Sequence, residues 1–499
     1  MEAHIISNTT IQLLGVTPEF NKILSDYFSV KDPQYEMYAD TNWDGYIRKY
    51  RKGKLSRAFL NDLIKFCNYH KVPINIIDDR GYDSLDVDKL SLRISDDMVN
   101  GIKLEDYQLD AIKSVLNNEI GLIVLPTGAG KTEIMIAITQ LLNVNTVIFA
   151  DMQVVINSIV TRFKLRKIQN VGVFYSGTYQ NNKITVCSIH SLLTHKLNKK
   201  TNKQLKSYLT RIEHARQLQE TVKEAELILI DEADKAVSRE WNQLFKNYAP
   251  KARFRYGFTA TPWEKTKPVQ NMQLKENLGT EIYKFTDIRK LEQMGRIVPV
   301  KVYMIVLDED NKNIRSKVRL DIAERELIIE NNKLHNIIKG LVYDVINDKV
   351  LIILDTMNIM DLGNKLSEIL DAPFINGTTP FKTRNEIVKK FENDEIKVLI
   401  GSKILKRSLD LKNGAPNLLL LGGGKQATNY LQVIGRAMRV NSKGYSNIYA
   451  FFHYGNAYLY RHSKILLKTL HERGYRITVK GQGWSMSGEK FIRSGFRKR

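Results

Sequence analysis

Two short stretches hold the residue types that can do chemistry. LPTGAGKT, residues 125–132, sets glycines ahead of a lysine and a threonine, and LILIDEADKA, residues 227–236, ends an apolar run in carboxylates. Glycine-rich backbone can curl its N–H groups around a phosphate, and a helix beginning at Lys131 would add the positive end of its dipole. In that arrangement Pro126, Thr127, Gly128, Ala129 and Gly130 form the cradle, Lys131 reaches the β and γ phosphates, and the Thr132 hydroxyl ligates Mg²⁺. Asp231 would hold the metal through its water shell while Glu232 polarises an attacking water. Together they point to hydrolysis of a nucleoside triphosphate.

Such a site needs strands that end at the phosphates. Short runs rich in Val, Ile and Leu recur between helix-permissive stretches: GLIVL at 121, TVIFA at 146, LILID at 227 and FRYGF at 254. A second series follows, VLIIL at 350, KVLIG at 397, NLLLL at 417 and IYAFF at 448. Continuous apolar runs of this length read as parallel strands buried on both faces and joined by crossover helices. Two α/β units in tandem are expected, with a mixed, charged passage from about 280 to 345 whose DEDNKNIRSK is an exposed loop. Residues 195–226 read as an exposed helical insertion on the first unit. A chain of 499 residues, 43% hydrophobic, holds two or three cores.

With these residues in place, the chain resembles a superfamily 2 helicase motor over roughly residues 100–455. Leu125 stands where the strict phosphate loop has its first glycine, a departure usual in the helicase version. Tyr107-Gln108 in LEDYQLDAI resembles the segment whose glutamine reads adenine, so the resemblance implies ATP as the nucleotide. FTATP at 258–262 resembles the motif coupling hydrolysis to movement. QVIGRAMR, residues 432–439, resembles the closing motif QxxGRxxR. It implies Gln432 near the nucleotide and Arg436 and Arg439 near its γ-phosphate, Arg439 as the arginine finger, and the wider resemblance adds Asp410 of SLDL to the nucleotide contacts. The letters DEAD do not make this an RNA enzyme: LEDYQ, TAT and Gln432 differ from the RNA helicases named for them, and Asp234 is read as only a second acidic residue. The resemblance further places strand contacts at Ser188 and Ser402. Ala150 and Asn157 depart from the usual pattern after TVIFA, as Ser408 does before Leu409-Asp410.

Lys plus Arg number 76 against 54 Asp plus Glu, a net charge of +22, which favours a polyanionic partner. TNWDGYIRKYRKGK, residues 41–54, reads as a hairpin turning at Asp44-Gly45, with Arg48, Lys49 and Arg51 on a basic face suited to a phosphate backbone and Trp43 either packed beneath it or an exposed wedge against the nucleic acid. A small N-terminal domain with an NWDG-type hairpin ahead of this motor resembles the UvsW type of bacteriophage helicase. That likeness implies branch migration of forked and four-way DNA in recombination and repair, 3′ to 5′ travel, and recombination or repair proteins as partners; the oligomeric state is left open, with a monomer favoured. The tail KGQGWSMSGEKFIRSGFRKR is either a DNA-binding extension or a disordered basic end. Cys67 and Cys187 suggest neither a disulfide framework nor a zinc site. No apolar run approaches the roughly 18 residues that cross a bilayer, and MEAHIISNTT lacks the basic start of an export signal, so a soluble cytoplasmic protein without a membrane partner is expected.

The expected architecture is α/β, with two tandem RecA-like parallel-sheet lobes and a small α+β N-terminal domain. Residues 1–95 form that duplex-binding domain, 96–285 the ATP-binding lobe, 286–455 the second lobe and 456–499 a basic extension. The expected activity is an ATP-dependent DNA helicase or translocase using Mg²⁺. Its rivals are an RNA helicase, a restriction-type duplex translocase, and a nucleic-acid-binding module on an inactive motor fold.

Overall fold

The structure is a computed structural model. It describes residues 1–35, 43–175, 178–192, 202–264, 267–307, 318–345, 347–402, 414–422, 430–431, 433–435 and 439–497. The chain divides into two compact units, residues 1–125 with 130–285, and residues 126–129 with 286–499.

The first unit is built on an eight-stranded sheet. Its spatial order is Thr178–Gln180, Val171–Tyr175, Ile184–Cys187, Thr146–Phe149, Leu227–Asp231, Phe254–Thr259, Ile120–Val124, Glu281–Lys284. Only the Val171–Tyr175 and Thr178–Gln180 pair is antiparallel. All of Ile120–Val124 and Phe254–Thr259 is buried, as expected of strands covered on both faces. Helices Lys131–Leu142 and Gln153–Leu165 are among the crossovers. The helix Asn202–Lys223 forms where an insertion was expected. Its far end is not exposed, since Leu218 and Val222 are buried in the lobe core.

The second unit repeats the plan with the order Phe374–Ile375, Val398–Ser402, Val350–Leu354, Asn417–Leu421, Ser446–Phe452, Val300–Val306, Arg476–Gly481, Trp484–Ser487. All eight apolar runs picked out in the sequence are strands, and they fall in two separate sheets. Among the described residues of the charged passage two strands form: Glu281–Lys284 closes the first sheet and Val300–Val306 is interior to the second. DEDNKNIRSK falls outside the described residues.

Of the two readings left open for the basic tail, the disordered end does not hold for its described residues, which fold onto the second sheet. Arg476–Gly481 pairs in parallel with Val300–Val306 and turns back into the antiparallel strand Trp484–Ser487. Helix Gly488–Arg493 then buries Phe491 completely. Its described arginines and lysines lie on a folded edge of the second sheet.

Residues 1–78 build a four-stranded sheet in the order Lys54–Ser56, Thr10–Leu14, Glu2–Ile5, Asn75–Asp78. Against it pack helices Pro18–Tyr27 and Leu60–Tyr69 around Ala3, Ile11, Leu24, Phe28, Phe59 and Leu63. This α+β domain has its own core yet belongs to the first compact unit. The seam is polar. Arg57 and Arg80 ion-pair with Glu119 of the lobe, and Arg253 of the lobe does so at 2.6 Å. Arg57 also donates to the Arg253 carbonyl at 3.1 Å, and the Asn8 amide to the Pro250 carbonyl at 2.9 Å.

The expected hairpin is wired differently. Tyr46–Arg48 pairs antiparallel with Ser29–Lys31 upstream, so Asp44-Gly45 ends a long connection and is not a two-residue turn. The tight turn is Lys52-Gly53, closed by a bridge between Arg51 and Lys54, with φ of 52° and 71° at its centre. Positive φ at both central residues is the geometry whose twist matches paired strands.

Candidate functional site

Leu227–Asp231, Phe254–Thr259 and Ile120–Val124 are adjacent and parallel. Asp231 therefore emerges beside Phe258, and Thr259 beside Val124, all at one edge of the sheet. The Leu125 N–H donates to the Thr259 carbonyl at 3.0 Å, which ties the phosphate loop to the FTAT strand. Crevices at this edge of parallel sheets are where phosphate ligands bind.

The loop has the backbone the sequence asks for. Gly128 and Gly130 both take positive φ, 88° and 74°, and helix Lys131–Leu142 starts directly after Gly130. A Cβ on Gly130 would lie 2.4 Å from the Gln108 amide nitrogen, so a larger residue would both strain this backbone and displace the end of that side chain. Gln108 is buried, and its Oε1 accepts the Glu105 N–H at 2.9 Å, capping helix Asp106–Lys113. Tyr107 stacks on Phe285 with ring centroids 4.4 Å apart. Lys131 and Thr132 are half-buried at the helix start, where their head groups can meet a phosphate and its metal.

The acids are held under electrostatic tension. Burial, then the neighbouring Glu232 charge, raises Asp231 to about 6, and Lys131 pulls the other way. Burial and Glu232 likewise raise Asp234 to about 6, against Lys235 and a hydrogen bond. That bond comes from the Thr259 hydroxyl at 3.0 Å, and Thr259 Oγ1 also accepts the Thr261 N–H at 3.1 Å. Asp234 is thus the link between the acidic strand end and FTAT, a role missed in the sequence. The signal available was a third carboxylate three places after Asp231. Glu232 sits at φ 52°, a left-handed conformation that costs a non-glycine residue about 1 kcal/mol or more. Two crowded carboxylates with raised pKa beside a phosphate loop are a donor set that suits a divalent cation.

Ser188 and Ser402, expected to contact a strand, both sit at strand ends. Ser188 is buried and its Oγ accepts the His190 N–H at 3.3 Å, so it caps the turn after Ile184–Cys187. Asn157 accepts from the Tyr175 hydroxyl at 2.8 Å, and Lys235 ion-pairs with Asp151 at 2.9 Å. Ser402 is buried at the end of Val398–Ser402. Arg439 is half-buried in the second unit, while Asp410, Gln432 and Arg436 fall outside the described residues.

On the N-terminal domain the basic face is largely spoken for. Arg48 forks onto Asp44, which also accepts the Tyr46 N–H, and these bonds hold the Asp44 carboxyl at about 2. Lys49 is turned inward onto Glu276 at 2.5 Å and Gln273 at 3.0 Å. It joins the domain to the helix Pro268–Leu278 and does not stand out as a free cation. Arg51 is exposed, its Nε donating to the Arg48 carbonyl at 3.1 Å. Trp43 is half-buried, its Nε1 donating to the Tyr46 carbonyl and its ring edge-on to Tyr35. Cys67 and Cys187 are buried free thiols, and among the described residues no helix is long and apolar enough to cross a membrane.

Comparison with known proteins adds sequence kinship to this geometry. Residues 101–264 match the family described as type III restriction enzyme, res subunit, and residues 332–441 match the helicase conserved C-terminal domain. The DNA 3′-5′ translocase XPB2 of Sulfurisphaera tokodaii is 23% identical over 385 residues, 68% of this chain and 80% of that one. The XPB/SSL2 helicase/translocase subunit of general transcription and DNA repair factor IIH from Saccharomyces cerevisiae is 22% identical over 374 residues. That match spans 72% of this chain but 42% of the yeast protein. Among solved structures, a fragment of a putative HsdR subunit of a type I restriction enzyme from Vibrio vulnificus superposes with a TM-score of 0.52. It is 14% identical, covering 85% of this chain and 75% of its own, and shares the fold. The crystal structure of T4 UvsW matches 96% of this chain and 99% of its own at 15% identity and a TM-score of 0.43.

Proposed function

We propose that this chain, a helicase-type ATPase of superfamily 2, moves along DNA and remodels forked and four-way branches as it goes. The observation that carries the reading is the single sheet edge that gathers the phosphate loop, the Asp231 to Asp234 acids and Thr259. Backbone N–H groups of residues 127–130 would bind the nucleotide phosphates, and Lys131 would neutralise the charge that gathers on the outermost one. Thr132 and Asp231 would hold Mg²⁺, which supplies charge neutralisation between the phosphates. Glu232 would orient a water for in-line attack and take its proton. Loss of the γ-phosphate would be felt at Asp234 and passed to Thr259 through their hydrogen bond. Arg439 and Arg436 would complete the charge clamp, and Gln108 and Gln432 the nucleotide contacts.

DNA as the track is supported by the charge of +22 and by the printed activities of the XPB relatives. The branch-migration reading draws on the small N-terminal domain fixed to the first lobe. Recombination or repair proteins are the expected company. A second reading, duplex translocation without strand separation, is favoured by the restriction-subunit match at residues 101–264.

One substrate panel tests the proposal: ATP-dependent processing of a fork, a four-way junction, a plain duplex, an RNA duplex, and a triplex whose third strand reports translocation. Branch remodelling predicts product from the fork and the junction. Triplex displacement with intact forks would instead support the duplex translocase. RNA unwinding at the DNA rate would overturn the choice of track.

A further inference from the structure

A cavity of about 270 Å³ opens where the N-terminal domain meets the first lobe, and its charged lining is Lys49, Arg51, Lys54, Lys246, Arg255 and Glu276. Five cations thus face one carboxylate, and that carboxylate is already shared by Lys49 at 2.5 Å and Lys246 at 3.8 Å. Among the described residues no carboxylate lies within ion-pair distance of Arg51, Lys54 or Arg255.

Arg255 is the telling member. It lies near the start of the interior strand Phe254–Thr259 and is 1% exposed. One of its terminal nitrogens donates to the Asn8 carbonyl and the guanidinium lies over Phe245, yet its Nε–H has no partner. Burial, then the like charge of Arg80, lowers its pKa to about 9. A buried cation with an unmet donor and no counter-ion is costly unless an anion supplies both. Arg255 pairs with Ile120, whereas the phosphate loop follows Val124 at the other end of the same strand pair, so the cavity is distinct from the nucleotide site. The seam is already locked: the Ser56 hydroxyl donates to the Glu276 carbonyl at 2.9 Å and Lys49 grips Glu276. Lys49 and Arg255 are therefore held in place before any ligand arrives, which lowers the entropic cost of binding at that end of the cavity.

We propose that this cavity is a second phosphate-binding site, seating a phosphodiester group of a nucleic-acid strand between the N-terminal domain and the first lobe. At about 270 Å³ it is just under the roughly 300–1,000 Å³ of small-molecule sites, room for one phosphate with its sugar or for a short polyphosphate. The nucleic-acid assignment rests on the DNA reading above, while the phosphate chemistry does not.

The test is equilibrium binding in a Lys131→Ala background, which removes the phosphate-loop lysine as a competing site. Labelled 20-base-pair duplex is titrated by anisotropy without nucleotide, and inorganic tripolyphosphate is titrated by thermal shift. The variant is Lys54→Glu with Lys246→Glu, both exposed positions. Lys89→Glu with Lys333→Glu, also exposed, makes the same charge change elsewhere. The proposal expects the cavity pair to weaken duplex binding tenfold or more beyond the control pair, with the log–log salt slope smaller by about 0.9, the value for one seated phosphate. It also expects the tripolyphosphate shift to be lost. Loss of that shift with normal duplex binding keeps the phosphate site and makes free polyphosphate its ligand. Equal duplex affinity and equal tripolyphosphate shifts in both pairs overturn the proposal. Arg255→Gln, checked by its melting temperature, must reproduce the cavity pair's phenotype while still melting as a folded protein. Because no arm requires ATP turnover, failure here is distinguishable from failure of the motor reading.

Discussion

Glu119→Gln is the sharpest probe of how the N-terminal domain is held. The Glu119 carboxylate is 19% exposed and takes ion pairs from Arg57, Arg80 and Arg253 at once. Arg57 and Arg80 are each only 4% exposed at the side chain. Burial, then Arg80 and Arg255, already pushes Arg57 well below the usual arginine range. Removing the carboxylate charge leaves those guanidiniums with Asp78, on Arg80, as the remaining ion-pair partner among the described residues. Breaking a buried pair costs about 3–5 kcal/mol, and the partial exposure of Glu119 places the expected loss near the lower figure, about 3 kcal/mol. For a unit of this size that corresponds to a drop of roughly 6–12 °C in melting temperature. Differential scanning fluorimetry measures it, and limited proteolysis between residues 79 and 95 shows whether the domain detaches first. A melting temperature within about 1 °C of wild type, with no new cleavage, would refute the view that this carboxylate clamps the seam.

Three further outcomes follow from the site. Asp231 has a raised pKa, so the folded state holds its proton more tightly than the unfolded chain between about 4 and 6, and stability falls as pH rises through that window. Asp231→Asn should therefore melt above wild type at pH 7.5, by at most about 3 kcal/mol, with the gap closing as pH falls below about 6; a lower-melting variant at pH 7.5 would contradict this. Thr259→Val removes the donor to Asp234 while keeping the shape, and should cost about 1.5–3 kcal/mol of coupling at the acid pair. The reading is strand displacement per ATP consumed, which should fall while nucleotide binding persists; unchanged displacement per ATP would remove the link. DNA affinity should decline steeply with salt, and a log–log slope near zero would separate the +22 charge from nucleic-acid binding.

Strand runs and the phosphate loop were legible because both depend on local pattern. Continuous apolar runs such as NLLLL have no amphipathic alternative, and the glycines of LPTGAGKT need positive φ in any fold that uses them. What escaped was set by distant partners. Asp44-Gly45 is a sound turn signal, yet Tyr46–Arg48 finds its partner at Ser29–Lys31, and the turn falls at Lys52-Gly53. RITVKG at 476 alternates buried and exposed residues, but its flanking arginines and lysines masked the strand period. Lys49 read as a free cation because Glu276 lies 227 positions away. Asp234 was dismissed on family comparison, although its acceptor role needed only Thr259 on the neighbouring strand.

The central claim is that residues 125–132 and 231–234 form an ATP-hydrolysing site that drives movement on DNA. The direct measurement is steady-state ATP turnover with and without DNA, in wild type and in Lys131→Ala. The account predicts turnover that DNA stimulates severalfold in wild type and that disappears in the variant, while DNA binding survives. Turnover that persists in Lys131→Ala, or that ignores DNA altogether, would contradict it.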